Sequence, residues 1–322
     1  MLFTRDGLEQ ATAEAVSVRR AAMFPSGGHV LDLCCGIGAD AMHLVGRGAT
    51  TLVDLDPAAL LCADWNCRLM EGAAEVASRL EDVRHTDLRC SAAFLDPARR
   101  REGRKVTQPD QYSPPVSWIE QLHRQVPNLC VKLAPGTPHE AIAPFDCRVE
   151  FVSLHGVLRE AALWFGEIGP SARLSAVVLP SGAVMTSDDA GPAGIAAPRA
   201  FLVEPDPAVI QAHLLGTLAE QLEASRLDTA TAYLTTDAWS GSPFARAWPI
   251  MEVMPLHLDR VARRLKAMGA YAAVVKQRGA SVTVEAAHRA LPKRGHIPIT
   301  VVLTPVEGRQ AAVLCGPISA PV

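Results

Sequence analysis

The chain has 322 residues, 49% hydrophobic and 20% charged, with a formal charge of −3, a balance that suits one or two packed domains and excludes disorder. No apolar run approaches the roughly 18 to 20 residues that cross a bilayer, and the first ten residues mix Arg5, Asp6 and Glu9 where a secretory leader needs an apolar stretch, so a cytoplasmic protein without a membrane partner is expected. The eight cysteines include no C-x-x-C pair and fall mostly inside apolar segments, which predicts buried thiols rather than disulfides or a metal site.

In chain order, His29–Cys34 predicts a first strand, Cys35–Asp40 a glycine-containing turn, Ala41–Arg47 a short helix and Thr51–Asp54 a second strand. Ala58–Met70 reads as a helix, Ala92–Leu95 as a buried strand ending at Asp96-Pro97, Trp118–Gln125 as a helix, and Leu129–Leu133 as a strand stopped by Ala134-Pro135-Gly136. Strands alternating with helices predict an α/β fold with a mostly parallel, doubly wound sheet, its ligand crevice beyond the strands' carboxyl ends. Val149–Leu154, Ala161–Phe165 and Leu174–Leu179, with short connections and a turn at His155-Gly156, predict antiparallel strands that finish the sheet. Residues 187–198, rich in Gly, Pro, Ala and Asp, read as a linker, so one domain over 1–190 and a second over 191–322 are expected. The second reads as a small α+β module: strands at Phe201–Val203, Thr231–Leu234, Tyr271–Val275, Ile299–Leu303 and Ala311–Leu314, and helices over Pro207–Glu223, Leu256–Met268 and Glu285–Leu291.

Charge is unevenly spread. From Arg246 to Arg309 there are eleven Lys/Arg against four acids, so this stretch carries +7 and the remainder −10. Such polarity points to an anionic partner for the second module or to a solvated basic face.

The chemistry concentrates in the first half. At the end of the first strand the backbone must turn into a helix against a ligand, and Gly36 and Gly38 permit both, which implies a nucleotide-like cofactor. Sixteen residues after Gly38 stands Asp54, placed to accept both hydroxyls of a ribose; Asp87 precedes the strand Ala92–Leu95 and could accept from an adenine amino group; Asp96-Pro97 ends that strand. Acids at the ends of successive strands, facing one crevice, argue for a shared site. Arg99 to Lys105 holds five cations in seven residues, a mobile loop or a phosphate clamp built on Arg99, Arg100 and Arg101. His139-Glu140 lacks the second histidine of a zincin, and no nucleophile elbow or Walker loop is present. Lys132 and Trp164 read as packing residues.

The set Asp32-Leu-Cys-Cys-Gly36-Ile-Gly38, Val53-Asp54-Leu-Asp56-Pro57, Thr86-Asp87 and Phe94-Leu-Asp96-Pro97 resembles the class I S-adenosylmethionine-dependent methyltransferases. Within them the chain is most similar to the branch containing trimethylguanosine synthases and bacterial proteins with a THUMP-like C-terminal domain, over nearly its whole length. Thr12-Ala13-Glu14 resembles that branch's Thr-Pro-Glu element, with Thr12 also a credible N-cap; Glu204-Pro-Asp-Pro207, Tyr233-Leu-Thr-Thr-Asp237 and Lys276-Gln-Arg-Gly279 resemble the ferredoxin-like and THUMP-like parts. Relatives often carry a helical segment ahead of this start, which the sequence is expected to lack. The resemblance implies a Rossmann-like methyltransferase sheet followed by a smaller ferredoxin-like and THUMP-like module. It implies S-adenosyl-L-methionine as cofactor, with Asp32, Gly36 and Gly38 at the methionine moiety, Asp54 and Asp56 at the ribose and amino-acid end, Asp87 at the adenine and Thr12 beside the cofactor. Asp96, with Pro97, would orient an acceptor amine. Two departures stand out: Cys34 takes the first glycine place of the turn, tolerable with strand geometry there, and Ala98-Arg99 replaces the Pro-Phe/Tyr that stacks on a base. The implied substrate is a base in structured RNA, tRNA or rRNA, such as a guanine amine. A protein or small-molecule acceptor, or a non-catalytic RNA-binding protein with a relict pocket, remains open, as does the oligomeric state.

Overall fold

Short apolar runs buried on both faces build the sheet of the N-terminal half. The computed structural model describes residues 1–73, 75–98, 100–101, 104–105, 109–187 and 191–318. The chain divides into two units, Met1–Asp188 and Asp189–Val322.

The first unit opens with helices α1 (Arg5–Gln10) and α2 (Glu14–Ala21), then runs β1 (His29–Leu33), α3 (Ala41–Leu44), β2 (Ala49–Asp54), α4 (Pro57–Arg68), β3 (Val76–Leu80) and β4 (Ala92–Leu95). A two-residue ladder, β5 (Arg100–Arg101) with β6 (Arg104–Lys105), precedes α5 (Ile119–Gln125), β7 (Leu129–Leu133), α6 (His139–Ile142), β8 (Arg148–Leu154), β9 (Val157–Trp164), β10 (Leu174–Leu179) and β11 (Ala183–Ser187). The nine-stranded sheet has the order β11-β10-β8-β9-β7-β4-β1-β2-β3, parallel from β7 through β3. Val30, Leu31, Leu33, Phe94, Leu95 and the whole of β7 are buried, which explains why these strands read as continuous apolar runs rather than alternating ones. Because β2 and β4 flank β1 on opposite sides, the chain reverses direction across the sheet at β1, and the crevice opens there.

Beyond β7 the sequence expectation needs correction. β9 is antiparallel to β7 and β8, joined to β8 by His155 and Gly156, both at positive φ, the backbone that a tight hairpin turn needs. β10, however, is parallel to β8: the chain returns past β9 to the outer side of β8 and so runs in β8's direction. β3 went unread because only its first residue is buried, leaving no apolar run to find. All eight cysteines are free thiols.

The second unit contains β12 (Phe201–Pro205), α7 (Pro207–Gln211), α8 (Leu215–Gln221), β13 (Ser225–Arg226), β14 (Leu234–Thr236), β15 (Ala245–Pro255), α9 (Leu258–Ala267), β16 (Ala270–Gln277), α10 (Val284–Ala290), β17 (Ile297–Val306) and β18 (Arg309–Cys315). Its sheet has the order β13-β14-β12-β15-β18-β17-β16. Val261 and Leu265 of α9 and Ala287 of α10 pack with Ile299, Val301 and Leu303 on one face, while Val302 and Val313 join Trp248 and Tyr233 in a separate cluster. The single helix expected over Pro207–Glu223 is two, broken where His213 takes a positive φ. The eleven-residue β15 escaped the sequence because Pro249 interrupts it and a register shift between Ile250 and Glu252 breaks the alternation. Among the described residues no helix is long and apolar enough to cross a membrane, and no group of three or more His, Cys, Asp or Glu could hold a metal ion.

Candidate active site

A cavity of about 270 Å³ lies at the carboxyl ends of β1 through β4. Each strand contributes through the residues that end or follow it: Cys34 to Ile37 after β1, Asp54 to Asp56 at β2, Asp82 and Val83 after β3, and Asp96 to Ala98 after β4. Thr4, Gly7 and Gln10, around α1, together with Thr12, line another part of the wall. Six aspartates, Asp6, Asp40, Asp54, Asp56, Asp82 and Asp96, line it, and among the described lining residues there is no Lys, Arg or His.

The turn after β1 is held by the strand beside it. Gly36 adopts φ 54°, and its N–H donates to Asp54 Oδ2 at 2.8 Å; the Asp56 N–H donates to Asp54 Oδ1 at 2.9 Å. Two backbone donors therefore fix the Asp54 carboxylate and leave its remaining lone pairs for a ligand. Asp56 caps α4, its Oδ1 accepting from Ala58 N at 2.8 Å and Ala59 N at 3.3 Å, with Pro57 at the first helical position. Gly38 does not line the cavity. At φ 82° a Cβ there would sit 2.9 Å from the Ala63 backbone, so this glycine serves the close approach of α4. Cys34 departs from the strand geometry expected of it and takes φ 63°, so the position still has a glycine-like backbone although a thiol occupies it.

Among the described residues, Asp96 is the one acid of the cavity that pairs with a buried lysine. Its Oδ2 accepts from Lys132 Nζ at 2.7 Å, whereas nothing among the described residues donates to Oδ1. Lys132 also donates to Thr12 Oγ1 at 2.8 Å; Thr12 donates in turn to Asp40 Oδ2 at 2.6 Å, and Asp40 takes Arg20, which also pairs with Glu160 and lies over the Phe94 ring. Lys132 is thus more than the packing residue expected, and Thr12 is no N-cap: α2 begins after Ala13 without a side-chain cap, and the Thr12 hydroxyl is spent in this network. Burial alone would lower the Lys132 ammonium, but Asp96, Asp40 and Glu160 outweigh it and raise it above the ordinary lysine value.

The remaining expected residues fall elsewhere. Asp32 is buried and does not line the cavity, and among the described residues nothing hydrogen-bonds its Oδ2. Burial pushes its carboxyl well above the ordinary range, and Asp40 and Asp96 push the same way. Asp87 does not line the cavity, because it is exposed and its carboxylate takes the guanidinium of Arg89 two residues on, at 2.6 Å. The acid beside the cavity in this stretch is Asp82, held by Arg84 and lowered to about 2 chiefly by that hydrogen bond. Arg99 lies outside the described residues, and of Arg100 and Arg101 only the backbone, paired with Lys105 and Arg104, is described.

An acid whose folded form holds its proton more tightly than the unfolded chain stabilises the fold below the ordinary aspartate value and loses that contribution as pH rises through the raised one. Asp32→Asn is therefore expected to raise the melting temperature at pH 7 by about 2 to 4 °C, the response to about 1 kcal/mol in a domain of this size. The difference should shrink toward pH 4, which a melting series across pH checks.

An acid-lined crevice at the switch point of a parallel sheet defines a Rossmann-like protein for a nucleoside cofactor carrying positive charge. A family model described as THUMP domain-like matches residues 245–317. Over 307 residues the chain is 31% identical to an uncharacterized S-adenosylmethionine-dependent methyltransferase of Mycobacterium tuberculosis, found in two strains, covering 94% of this chain and 84% of that protein. The crystal structure of a provisionally assigned methyltransferase from Porphyromonas gingivalis shares the fold, with a TM-score of 0.78 at 19% identity over 97% of this chain and 82% of that one. The chain belongs to the S-adenosylmethionine-dependent methyltransferases. It is an enzyme whose cofactor is S-adenosyl-L-methionine, and the residues present fit it: the cofactor's sulfonium and ammonium would meet a wall of carboxylates in which Asp54 and Asp56 are held by backbone N–H groups, while Asp40, Asp82 and Asp96 pair with Arg20, Arg84 and Lys132.

Proposed function

We propose that the enzyme methylates a base in structured RNA, tRNA or rRNA, with an exocyclic amine such as that of guanine as acceptor. The observation that carries this reading is Asp96, half-open to the cavity with one oxygen clamped by Lys132 and the other without a protein donor among the described residues. Asp54 and Asp56 would hold the ribose, Asp82 and Val83 the adenine, and Gly36 the methionine end, with Thr12 beside it. Asp32 stands behind that end, its carboxyl pushed well above the ordinary range by burial. Bound, the cofactor supplies a methyl carbon on a positively charged sulfur, which departs as a neutral thioether when a nucleophile takes the methyl. Asp96 Oδ1 would accept a hydrogen bond from the acceptor amine, turn its lone pair toward the methyl and offset the positive charge that grows on nitrogen, whose surplus proton then passes to Asp96 and on to water. Pro97 fixes the backbone beside it, and phosphate of the substrate is assigned to Arg99, Arg100 and Arg101. Asp96-Pro97 also supports kinship with the trimethylguanosine synthase branch.

The RNA half of the reading rests on the +7 stretch, which coincides with the THUMP-like match. Aromatics are only 5% of the chain, so contacts to phosphate and shape suit it better than an exposed stacking platform. Incubating the enzyme and labelled cofactor with total RNA from a strain lacking it should place label in RNA, lost with Asp96→Ala. Label confined to protein or metabolites would overturn the acceptor class.

A further inference from the structure

The eleven cations between Arg246 and Arg309 are not equivalent once folded. Arg264 is taken by Glu252 at 2.6 Å. Lys276 is taken by Glu204 at 2.6 Å and lies 5.0 Å over the Trp248 ring, and Arg278 lies 5.7 Å over Tyr233, so the three sequence motifs that carry Glu204, Tyr233 and Lys276 meet in one internal cluster. Arg260, Arg263 and Lys266 differ. They are exposed on α9 opposite the buried Val261 and Leu265, and no acid among the described residues pairs with them; Arg263 reaches only the Asp259 carbonyl, at 3.4 Å. Their spacing of three residues places them in one stripe with a rise of about 9 Å.

The stripe continues beyond the helix. His296 N donates to Gly269 O at 2.8 Å, and Gly295 lies so close to Gly269 and Ala270 that an added Cβ would sit 2.8 Å from the Gly269 oxygen. Backbone contacts thereby fasten the α10–β17 loop, with exposed Lys293 and Arg294, against the carboxyl end of α9. Carbonyls at a helix end repel phosphate, and cations on and beside that end reverse the sign.

We propose that this stripe, Arg260, Arg263 and Lys266 continued by Lys293 and Arg294, is the surface of the second unit that contacts the phosphate backbone of the RNA. This rests on the RNA reading above. The chemistry of the face selects its partner: the apolar side of α9 is consumed in the core, leaving no aromatic or leucine anchors for a bilayer or a protein hot spot. Charge at fixed spacing is what a phosphate backbone needs.

The test measures binding of unfractionated tRNA to the full chain from 50 to 200 mM salt, for the wild type, for Arg260→Ala/Arg263→Ala/Lys266→Ala, and for Arg309→Ala. Arg309 is an exposed control at the hairpin on the opposite end of β17. Alanine is a strong helix former, so α9 is kept, and a thermal melt together with calorimetry of cofactor binding verifies both units. The triple variant should bind at least tenfold more weakly at 50 mM, with the slope of log K against log salt smaller by roughly 2 to 3, while Arg309→Ala behaves as wild type. A triple variant with wild-type affinity and slope would overturn the stripe and leave the RNA reading standing. A wild type that binds phosphatidylglycerol vesicles but no tRNA, even at 50 mM, would overturn both.

Discussion

Replacing Asp54 by alanine is expected to weaken S-adenosylmethionine binding by about two orders of magnitude. Both oxygens of this carboxylate are fixed by backbone N–H groups, from Gly36 and Asp56, so it meets a ligand without further ordering. Hydrogen bonds to a charged acceptor contribute about 1.5 to 3 kcal/mol each, and two ribose hydroxyls lost together give about 3 kcal/mol after partial replacement by water, roughly 150-fold. The same substitution frees the Gly36 and Asp56 amides, which loosens the turn that shapes the cavity. Asp54→Asn separates the two contributions: it retains an acceptor oxygen without the charge, and about tenfold weakening is expected. Calorimetry on the two variants measures this directly. Wild-type affinity in Asp54→Ala would remove the ribose from this strand end and with it the orientation assigned to the cofactor.

How much of this was legible follows from where the determinants sit in the chain. The parallel half of the sheet could be read because β1, β4 and β7 are short, buried on both sides and bounded by turns. The glycine turn with Asp54 and Asp96 could be read because each stands at a strand end, where an apolar run stops. Asp87 was misplaced because β3 carries no apolar pattern, and without that strand the acid that follows it, Asp82, could not be told from the next one. Lys132 had a signal of another kind, a charge inside an otherwise apolar strand, whereas Glu160 follows Arg159 ahead of the apolar run and gave none. Burying a charge is costly unless it is paired, so Lys132 implied a partner elsewhere. Which partner could not be known, since Thr12, Arg20, Asp40, Asp96, Lys132 and Glu160 are scattered across the first unit and meet only on folding.

That network gives the second large effect. Lys132→Met removes the cation between Asp96 and Thr12 and leaves the Asp96 carboxylate uncompensated. Breaking a buried pair costs about 3 to 5 kcal/mol; Asp96 is 27% exposed, so about 2 to 3 kcal/mol of stability is expected to go. Methyl transfer should fall about 100-fold, because a displacement near 1 Å at the orienting carboxylate is enough for that. Cofactor affinity, which is assigned to Asp54 at the carboxyl end of β2, should change only a few-fold. Lys132→Arg keeps the charge but not the geometry, so it should recover most of the stability and little of the rate. The lysine's raised pKa fixes the pH response: its contribution is complete below the ordinary lysine value and is lost only as pH rises through the raised one, so no Lys132 titration should appear between pH 6 and 9. Should Lys132→Met and Lys132→Arg lose stability and rate in the same proportion, the residue would be a structural counter-ion and Asp96 would need some other group to aim it.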